Sequence, residues 1–343
     1  MKALVLKDFS KLSYEEAPAP QLGAGEVLVA VKACGICGSD VHGLDGSTGR
    51  RRPPIIMGHE AAGVIVKANG GPNGWKPGDR VTFDSTIYCG ACGFCRQGQI
   101  NLCENRRVLG VSCEDYRRQG AFAEYVAVPE RVLYRLPEDL SFENAAMVEP
   151  VSIAFHAVRR ARPVLNDTAV VLGAGMIGLF VIQALRLAGC GKIIAVDVVP
   201  DKLKLALDLG ASHTVDSGAE DVLARVQDLT GGLGADLAVE AVGMAQTVEM
   251  AVRSVRKGGA VTLVGNVSPR VELPLQVAVT RELTLYGSCA SAGEYPACLD
   301  MLGRGAVKTA PILSAVAPLA EGAAWFDRLY RKEPGLLKVI LTP

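Results

Sequence analysis

The chain has 343 residues, a length that favours two domains over a single core. Lys plus Arg and Asp plus Glu balance at 36 each, so net charge does not point to a nucleic acid or an anionic membrane as a partner. The apolar run at the N-terminus is too short for a signal peptide, and no stretch approaches the roughly 18 apolar residues that span a bilayer. We therefore expect a cytoplasmic protein with a small-molecule partner.

The first 150 residues predict short strands interrupted by Gly and Pro. Alternating or near-continuous apolar residues predict strands at 26–32, 61–67 and 120–128. Turn signals fall between them, at Asn73-Gly74 and at the Pro-Gly-Asp sequence of 77–79.

A mixed set of metal-binding side chains lies within this first region: Cys37, His42, His59 and Glu60. Thiolate, imidazole and carboxylate together form an incomplete ligand set that leaves room for water or substrate, as catalytic zinc sites do. Taken singly, each residue has a structural alternative, because Cys37 could be a small buried hydrophobe, His59 a core histidine and Glu60 a surface acid.

Four further cysteines lie at regular spacing within fifteen residues: Cys89, Cys92, Cys95 and Cys103. This spacing predicts a tetrahedral thiolate cage around one zinc ion. Since no His or carboxylate is interleaved, the site lacks an open coordination position and is expected to be structural. With Cys37, five of the ten cysteines lie at metal-ligand positions and the other five are scattered, which favours reduced thiols in the cytosol over disulfides.

From about residue 165 strands alternate with helices, which predicts a doubly wound parallel sheet. The helices are predicted at 176–188 and at about 201–209, with further helical stretches between the later strands. The strands are predicted at 168–172, 192–197, 213–215, 235–240, 260–264 and 283–287. The tail, 288–343, is too short to stand alone, so we place it on the first domain.

The first strand of this series leads into the fingerprint Gly173-Ala-Gly175-Met-Ile-Gly178, with Met176 and Ile177 inside it. The glycines permit a tight turn, close approach of a pyrophosphate and close helix packing. Asp197 ends the next strand, and its carboxylate can accept from ribose hydroxyls while repelling a 2′-phosphate, which favours NAD over NADP. Lys202 either assists at the ribose or faces solvent. A structural turn and a methyl-donor nucleotide site are the alternatives.

Together these motifs resemble the zinc-dependent medium-chain dehydrogenases along essentially the whole chain. Within that superfamily the sequence is similar to the polyol (sorbitol- and galactitol-type) branch and to L-threonine 3-dehydrogenase. The residues that carry the resemblance are Gly35-Ile-Cys37-Gly-Ser39-Asp40 with His42, Gly58-His59-Glu60, the four-cysteine lobe, Glu149-Pro150 and the glycine fingerprint.

The resemblance implies an α/β chain of two domains with the active site between them. A GroES-like β-rich catalytic domain would comprise 1–153 and 288–343, with the structural zinc lobe at about 85–110. A Rossmann NAD-binding domain would comprise 154–287. It also implies two zinc ions per subunit and a homodimer or homotetramer.

By position, the resemblance makes Cys37 and His59 ligands of the catalytic zinc. It gives Glu60 and Glu149 as carboxylates that ligate directly or through water. Zinc acidifies the substrate hydroxyl, Ser39 accepts the proton and His42 passes it onward, while a hydride moves to the nicotinamide. The expected reaction is oxidation of a secondary hydroxyl of a polyol or sugar alcohol to a ketone.

Three other functions stay open. L-threonine 3-dehydrogenase differs in the groups beside the reacting carbon. Galactitol-1-phosphate 5-dehydrogenase would use the basic run Arg50-Arg51-Arg52 for a phosphate, although a solvated loop is the simpler interpretation. A non-catalytic, cofactor-binding sensor of the same fold is the third. Recognition of sorbitol as the substrate is in question, because Ala290 and Ser291 stand where sorbitol dehydrogenases carry an Arg-Tyr pair.

Overall fold

The computed structural model describes residues 1–68 and 73–343. The chain divides into two compact units. The first comprises Met1–Glu149 and Tyr295–Pro343, and the second comprises Pro150–Glu294. The domain boundaries drawn from the resemblance, at 153 and 288, stay a prediction.

The strands of the described residues are, in chain order, β1 (Lys2–Asp8), β2 (Lys11–Glu16), β3 (Glu26–Gly35), β4 (Ile55–Ile56), β5 (Glu60–Lys67), β6 (Arg80–Phe83), β7 (Thr86–Ile87), β8 (Arg107–Val108), β9 (Val111–Ser112), β10 (Arg117–Arg118), β11 (Tyr125–Pro129), β12 (Leu133–Arg135), β13 (Thr168–Leu172), β14 (Lys192–Asp197), β15 (His213–Asp216), β16 (Ala235–Glu240), β17 (Val255–Leu263), β18 (Thr284–Gly287), β19 (Leu313–Pro318) and β20 (Lys338–Thr342).

The α-helices are α1 (Gly38–Gly43), α2 (Gly93–Arg96), α3 (Phe142–Ala146), α4 (Val148–Ala161), α5 (Met176–Leu187), α6 (Pro200–Asp208), α7 (Val222–Leu229), α8 (Ala245–Ser254), α9 (Leu275–Thr280), α10 (Tyr295–Gly303) and α11 (Gly322–Tyr330). None of these helices is both long and apolar enough to cross a membrane.

The first unit is built around a largely antiparallel sheet of order β12-β6-β5-β3-β20-β19, with β11 also pairing with β3. Its central strand β3 shows why the sheet forms. Val27, Val29 and Val31 alternate along it and are buried in the core of the unit. Burying each such side chain contributes about 1.5–3 kcal/mol. The C-terminal strand β20 pairs with β3 at Gly35, which brings the end of the chain beside the start of α1.

The predicted strand at 120–128 is only partly a strand, because β11 begins at Tyr125. The preceding backbone binds a neighbouring loop instead. Gly120 N–H donates to the carbonyl of Ile56 (2.7 Å) and Ala121 N–H to that of Gly58 (2.9 Å). Residues 120–122 of the apolar run therefore support the turn that carries His59, a role that local patterning does not reveal.

The second unit contains a parallel sheet of order β15-β14-β13-β16-β17-β18. Counted within the unit this is the order 3-2-1-4-5-6 of a Rossmann fold, which confirms the predicted doubly wound sheet. Val170, Leu172, Ile194 and Val196 are buried in its core. Such near-continuous apolar strands are those of a sheet covered on both faces.

Candidate catalytic metal site

Three predicted metal ligands converge at the end of β3 and the start of β5. Cys37 is the N-cap of α1, and Glu60 opens β5 opposite Gly35 on β3. His59 precedes Glu60 and follows Gly58, whose φ is +92°. A Cβ on Gly58 would lie 2.8 Å from Cys34 Sγ and 2.9 Å from Phe122, so glycine is required in this turn.

The potential ligand atoms of Cys37, His59 and Glu60 lie within 4.8 Å of one another. Cys37 is half-buried, while His59 and Glu60 are buried. Glu60 Oε1 has no hydrogen-bond partner among the described residues. A buried carboxylate oxygen without a partner, beside a thiol and an imidazole, fits a bound cation. Sulfur, nitrogen and oxygen donors of this kind suit zinc.

The second oxygen of Glu60 is ion-paired with Lys338 of β20, and both side chains are fully buried. Lys338 Nζ also donates to the carbonyl of Ile36 at 3.0 Å. A Cβ on Gly35 would overlap Glu60 Oε2, so this glycine makes room for the pair. Burial lowers the pKa of Lys338, but Glu60, Cys37 and Glu149 together outweigh that effect and raise it. Lys338 therefore holds one oxygen of Glu60 and leaves the other for a metal.

His59 is backed by Asp40, whose Oδ2 lies 3.4 Å from His59 Nδ1. With Nδ1 facing this carboxylate, Nε2 is left to ligate, as in carboxylate–histidine–zinc arrangements. Burial alone lowers the pKa of His59, but Asp40 and Cys37 raise it well above its ordinary value. Asp40 is also paired with buried Arg51 through Nη2 at 2.7 Å. Burial raises the pKa of Asp40, but His59 and Arg51 outweigh it and hold the pKa well below the ordinary range.

Glu149 lies near the start of α4 and is half-buried. It is not part of the cluster within 4.8 Å formed by Cys37, His59 and Glu60. Burial raises the pKa of Glu149 to about 8, with the like charges of Glu60 and Asp84 adding to the shift. Direct ligation by Glu149 stays a prediction.

The two predicted relay residues lie on the short helix α1. Ser39 is exposed, and its Oγ accepts from Arg51 Nη2 at 3.3 Å. His42 is exposed on the same helix and lines a cavity of about 440 Å³ together with Gly38, Asp45, Tyr330 and Lys332. The ring of His42 is therefore accessible.

The predicted thiolate cage is also assembled. The thiols of Cys89, Cys92, Cys95 and Cys103 have ligand atoms within 4.8 Å of one another. Sγ–Sγ distances are 3.5 Å for Cys92–Cys95 and 3.9 Å for Cys89–Cys95, and all four cysteines are free of disulfides. Hydrogen bonds from the amides of Ala91 and Cys92 lower the pKa of Cys89 to about 6. The four-thiol set fits a closed tetrahedral zinc.

The glycine loop has the properties that a bound dinucleotide requires. Gly173 has φ +93°, and a Cβ on Gly178 would overlap the carbonyl of Gly173. A Cβ on Gly175 would meet open space, so the backbone there can be approached. The loop leads into α5, whose first residues are Met176 and Ile177 and whose N-terminal amides suit a phosphate.

Asp197 ends β14, as predicted, but its carboxylate already has backbone partners. Oδ2 accepts from Ala174 N–H at 2.7 Å, and Oδ1 accepts from the amides of Val198 (2.8 Å) and Val199 (3.0 Å). A carboxylate offers about four acceptor positions, so one remains for a ribose hydroxyl. Lys202 lies half-buried on α6, and its role at the ribose stays a prediction.

Four structural partners of these sites were missed from sequence: Asp40, Arg51, Lys338 and Glu240. Glu240 is fully buried at the end of β16, and its Oε1 accepts from Val242 N–H, Gly243 N–H and Thr247 Oγ1. Two of them have a recognisable signal in the sequence: Glu240 is an acid that ends an apolar strand, and Lys338 is a lysine that opens one. The interpretation of Arg50-Arg51-Arg52 as a solvated or phosphate-binding run is wrong for Arg51, which is 3% exposed and ion-paired with Asp40. Arg50 and Arg52 are exposed.

Comparison with known proteins is consistent with this geometry. Residues 23–138 match the alcohol dehydrogenase GroES-like domain, and residues 177–304 match the zinc-binding dehydrogenase model. Sorbitol dehydrogenase of Bacillus subtilis (strain 168) is 33% identical over 348 residues, covering 100% of this chain and 97% of that protein.

Two solved structures are similar over the whole chain. A zinc-binding dehydrogenase from Sinorhizobium meliloti 1021, bound to NADP, has a TM-score of 0.90 and 33% identity, covering 100% of this chain and 99% of that one. Galactitol-1-phosphate dehydrogenase from Escherichia coli has a TM-score of 0.92 and 28% identity, covering 100% of both chains.

The chain belongs to the zinc-dependent medium-chain dehydrogenases. This confirms the predicted family and, with it, the predicted pairing of a GroES-like domain with a Rossmann domain. The protein is an oxidoreductase that acts on CH–OH groups with zinc and a nicotinamide dinucleotide.

Proposed function

We propose that the protein oxidises a secondary hydroxyl of a polyol or sugar alcohol to a ketone, with NAD as hydride acceptor. The observation that carries this proposal is the cluster of Cys37, His59 and Glu60, with Ser39 on the helix α1 that Cys37 caps. The polyol class is supported by the similarity to a sorbitol dehydrogenase and a galactitol-1-phosphate dehydrogenase.

In this proposal Cys37, His59 and Glu60 hold the catalytic zinc, with Glu149 as an additional carboxylate. When bound, the zinc supplies a Lewis acid that lowers the pKa of the substrate hydroxyl. Asp40 orients the imidazole of His59, and Lys338 keeps one oxygen of Glu60 turned away from the metal position. Cys89, Cys92, Cys95 and Cys103 hold the structural zinc of their lobe.

The proton of the substrate hydroxyl leaves through the chain's own side chains. Ser39 Oγ accepts it, and the exposed imidazole of His42 carries a proton onward to solvent. An imidazole suits this step because one ring nitrogen can accept a proton while the other donates one. The bound nicotinamide supplies the acceptor for the hydride.

A substrate screen tests the proposal. Zinc-loaded protein would be assayed at about 340 nm, the NADH absorbance band, with sorbitol, xylitol, galactitol, galactitol 1-phosphate and L-threonine, each with NAD and with NADP. We expect turnover of at least one free polyol with NAD. Turnover of threonine alone would identify the protein as an L-threonine 3-dehydrogenase. A marked preference for galactitol 1-phosphate over galactitol would identify it as a galactitol-1-phosphate 5-dehydrogenase.

The matched control for the screen is Cys37→Ala. We expect it to lose activity while NADH binding, followed by fluorescence, persists, because the glycine loop is remote in sequence from this residue. A wild-type protein that binds NADH but is inert with every alcohol would contradict the proposal and favour a sensor.

We also propose that the protein is a homo-oligomer. In the second unit β18 is an edge strand of the sheet, and Leu275 and Val279 of the neighbouring segment are 63% and 65% exposed. These two residues are four apart on α9 and so share one face. Exposed apolar side chains beside an open sheet edge favour pairing with a second copy.

Sedimentation tests the oligomer. Leu275→Glu is expected to shift the protein toward monomer, while Leu233→Glu, at a position 71% exposed elsewhere on the unit, is expected to leave the mass unchanged. A wild-type monomer would contradict the proposal. A cytoplasmic location is proposed from the four-cysteine lobe, because Cys89, Cys92, Cys95 and Cys103 form no disulfide and a reducing compartment keeps such thiols available for a metal.

A further inference from the structure

We propose that Arg51 is a positioning residue that fixes the hydroxyl of Ser39 for transfer of the substrate proton. The inference deepens the proposed function and rests on it, because it assigns a residue to the same relay. Arg51 belongs to neither the predicted zinc ligands nor the predicted relay.

The guanidinium of Arg51 is held rigidly. Its Nε and Nη2 donate to the same oxygen, Asp40 Oδ1, at 3.0 and 2.7 Å, and Nη1 donates to the carbonyl of Arg50 at 3.0 Å. Asp40 is fully buried, so this pair is shielded from solvent. A Cβ on Gly43 would overlap Arg51 Cγ, so the sequence leaves room on α1 for this side chain.

The backbone beneath Arg51 is anchored as well. Arg51 forms an isolated bridge with Ser112, and Arg52 N–H donates to the carbonyl of Ser112 at 3.1 Å. Ser112 N–H in turn donates to the carbonyl of Arg50 at 3.2 Å. The guanidinium therefore keeps one place relative to α1.

From that place Arg51 Nη2 donates to Ser39 Oγ at 3.3 Å. An arginine can donate but never accept, and a hydroxyl has one hydrogen and two acceptor positions. With one acceptor position of Ser39 taken by Arg51, the other is left for the substrate hydroxyl. The hydrogen of Ser39 must then be donated onward. Ser39 thus receives one proton from the substrate and gives up its own. By occupying one acceptor position of Ser39 Oγ, Arg51 fixes which side of the hydroxyl receives the proton and which side releases it.

Positioning Ser39 requires the planar, forked guanidinium of an arginine. It serves Asp40 and Ser39 with separate N–H groups, whereas a lysine ammonium on a flexible stem reproduces the charge but not the fixed geometry. The neighbouring Arg52 cannot substitute, because it is exposed and directed to Glu114 at 3.7 Å.

The test is a double-mutant cycle between Arg51→Lys and Ser39→Ala, with Arg52→Ala as the matched control. Arg51→Lys keeps a cation for Asp40. We expect it to lower kcat by about tenfold or more in the wild-type background, within the range that positioned proton transfer contributes. In the Ser39→Ala background we expect less than about a twofold effect, because the relay is already lost. Arg52→Ala should leave kcat unchanged.

A second readout separates the relay from a merely structural role. In Arg51→Lys the solvent deuterium isotope effect on kcat should rise, because proton transfer limits turnover, while zinc content and NADH affinity match the wild type. Arg51→Gln, which keeps donors for Asp40, takes the place of Arg51→Lys if the lysine variant does not fold.

An equal loss of kcat in both backgrounds, or an unchanged isotope effect, would overturn the inference. A wild-type kcat in the folded Arg51→Lys protein would also overturn it. An inert wild-type enzyme would instead be a failure of the proposed function, which the screen with free polyols detects separately.

Discussion

Buried charges around the metal site are arranged in pairs. Asp40 serves both Arg51 and His59, and Lys338 serves Glu60. An unpaired charge at these positions would cost several kcal/mol, so each pair maintains the local fold as well as the orientation of a ligand. The candidate ligands Cys37, His59 and Glu60 thus depend on charged residues outside their own cluster.

Asp40→Asn is expected to weaken zinc binding at the Cys37–His59–Glu60 site by about 10–100-fold, because it removes the carboxylate that orients the imidazole. Competition with a chromophoric chelator measures this affinity, with the exposed Asp300→Asn as a control. An unchanged affinity in the folded Asp40→Asn protein would show that Asp40 has no influence on the metal.

Asp197→Asn is expected to shift the ratio of kcat/KM for NAD to that for NADP toward NADP by about tenfold or more, because a negative charge that repels the 2′-phosphate is removed. The amide keeps one oxygen for the backbone donors of this turn. Steady-state kinetics with both dinucleotides measures the ratio, and Asp201→Asn, exposed on α6, is the control. No shift would mean that the carboxylate does not select the cofactor.

How much the sequence predicts depends on whether an interaction is local. Cys37, His59 and the four cysteines carry their chemistry in their residue type and spacing. Arg51 and Lys338 do not, because their partners lie 11 and 278 positions away and only the folded chain brings them together. A buried arginine and a solvated one look alike in sequence.

At the scale of elements, the Rossmann strands follow the sequence pattern closely, and β13, β14 and β16 have the predicted bounds. Each is a short apolar run flanked by turn signals, so local information is sufficient. The segment at 120–124 departs from the pattern, because the amides of 120–122 donate to residues 56–58 and only an isolated bridge from Ala123 to Ala3 joins the segment to β1. Whether a segment forms a sheet edge or supports a loop depends on partners that are distant in the sequence, so local patterns do not reveal it.

One ion pair ties α4 to the loop that ends the second unit. Buried Glu294 Oε1 lies 2.9 Å from His156 Nδ1 and 3.2 Å from Arg159 Nη1. Burial alone raises the pKa of Glu294, but the hydrogen bonds from His156 and from the amide of Ala292 outweigh it and lower the pKa below its ordinary value. The pair therefore stabilises the loop against α4.

Because the folded-state pKa of Glu294 is lowered, its contribution is present above the unfolded value of about 4.3 and is lost as pH falls through the folded value. Glu294→Gln should cost about 1–3 kcal/mol at pH 7 and lose less additional stability than wild type below about pH 4.5. Urea unfolding across pH measures both. If the free energy of unfolding depended on pH in the same way in both proteins, the stabilising role of the Glu294 carboxylate would be contradicted.

At the scale of the whole molecule, the first unit carries both candidate metal sites and is closed by the two ends of the chain. Strand β20 pairs with β3 directly beside Cys37 and supplies Lys338 to Glu60. The fold thereby makes the Cys37–His59–Glu60 cluster depend on residues that are far apart in the sequence. The four-cysteine lobe, in contrast, is assembled from one short segment.

Zinc content per chain tests the account most directly. Fully loaded wild-type protein should contain about two equivalents, since two separate ligand sets are present. Cys37→Ala should contain about one and should still bind NADH. One equivalent in both proteins, held in the four-cysteine lobe, would contradict a catalytic zinc at Cys37, His59 and Glu60.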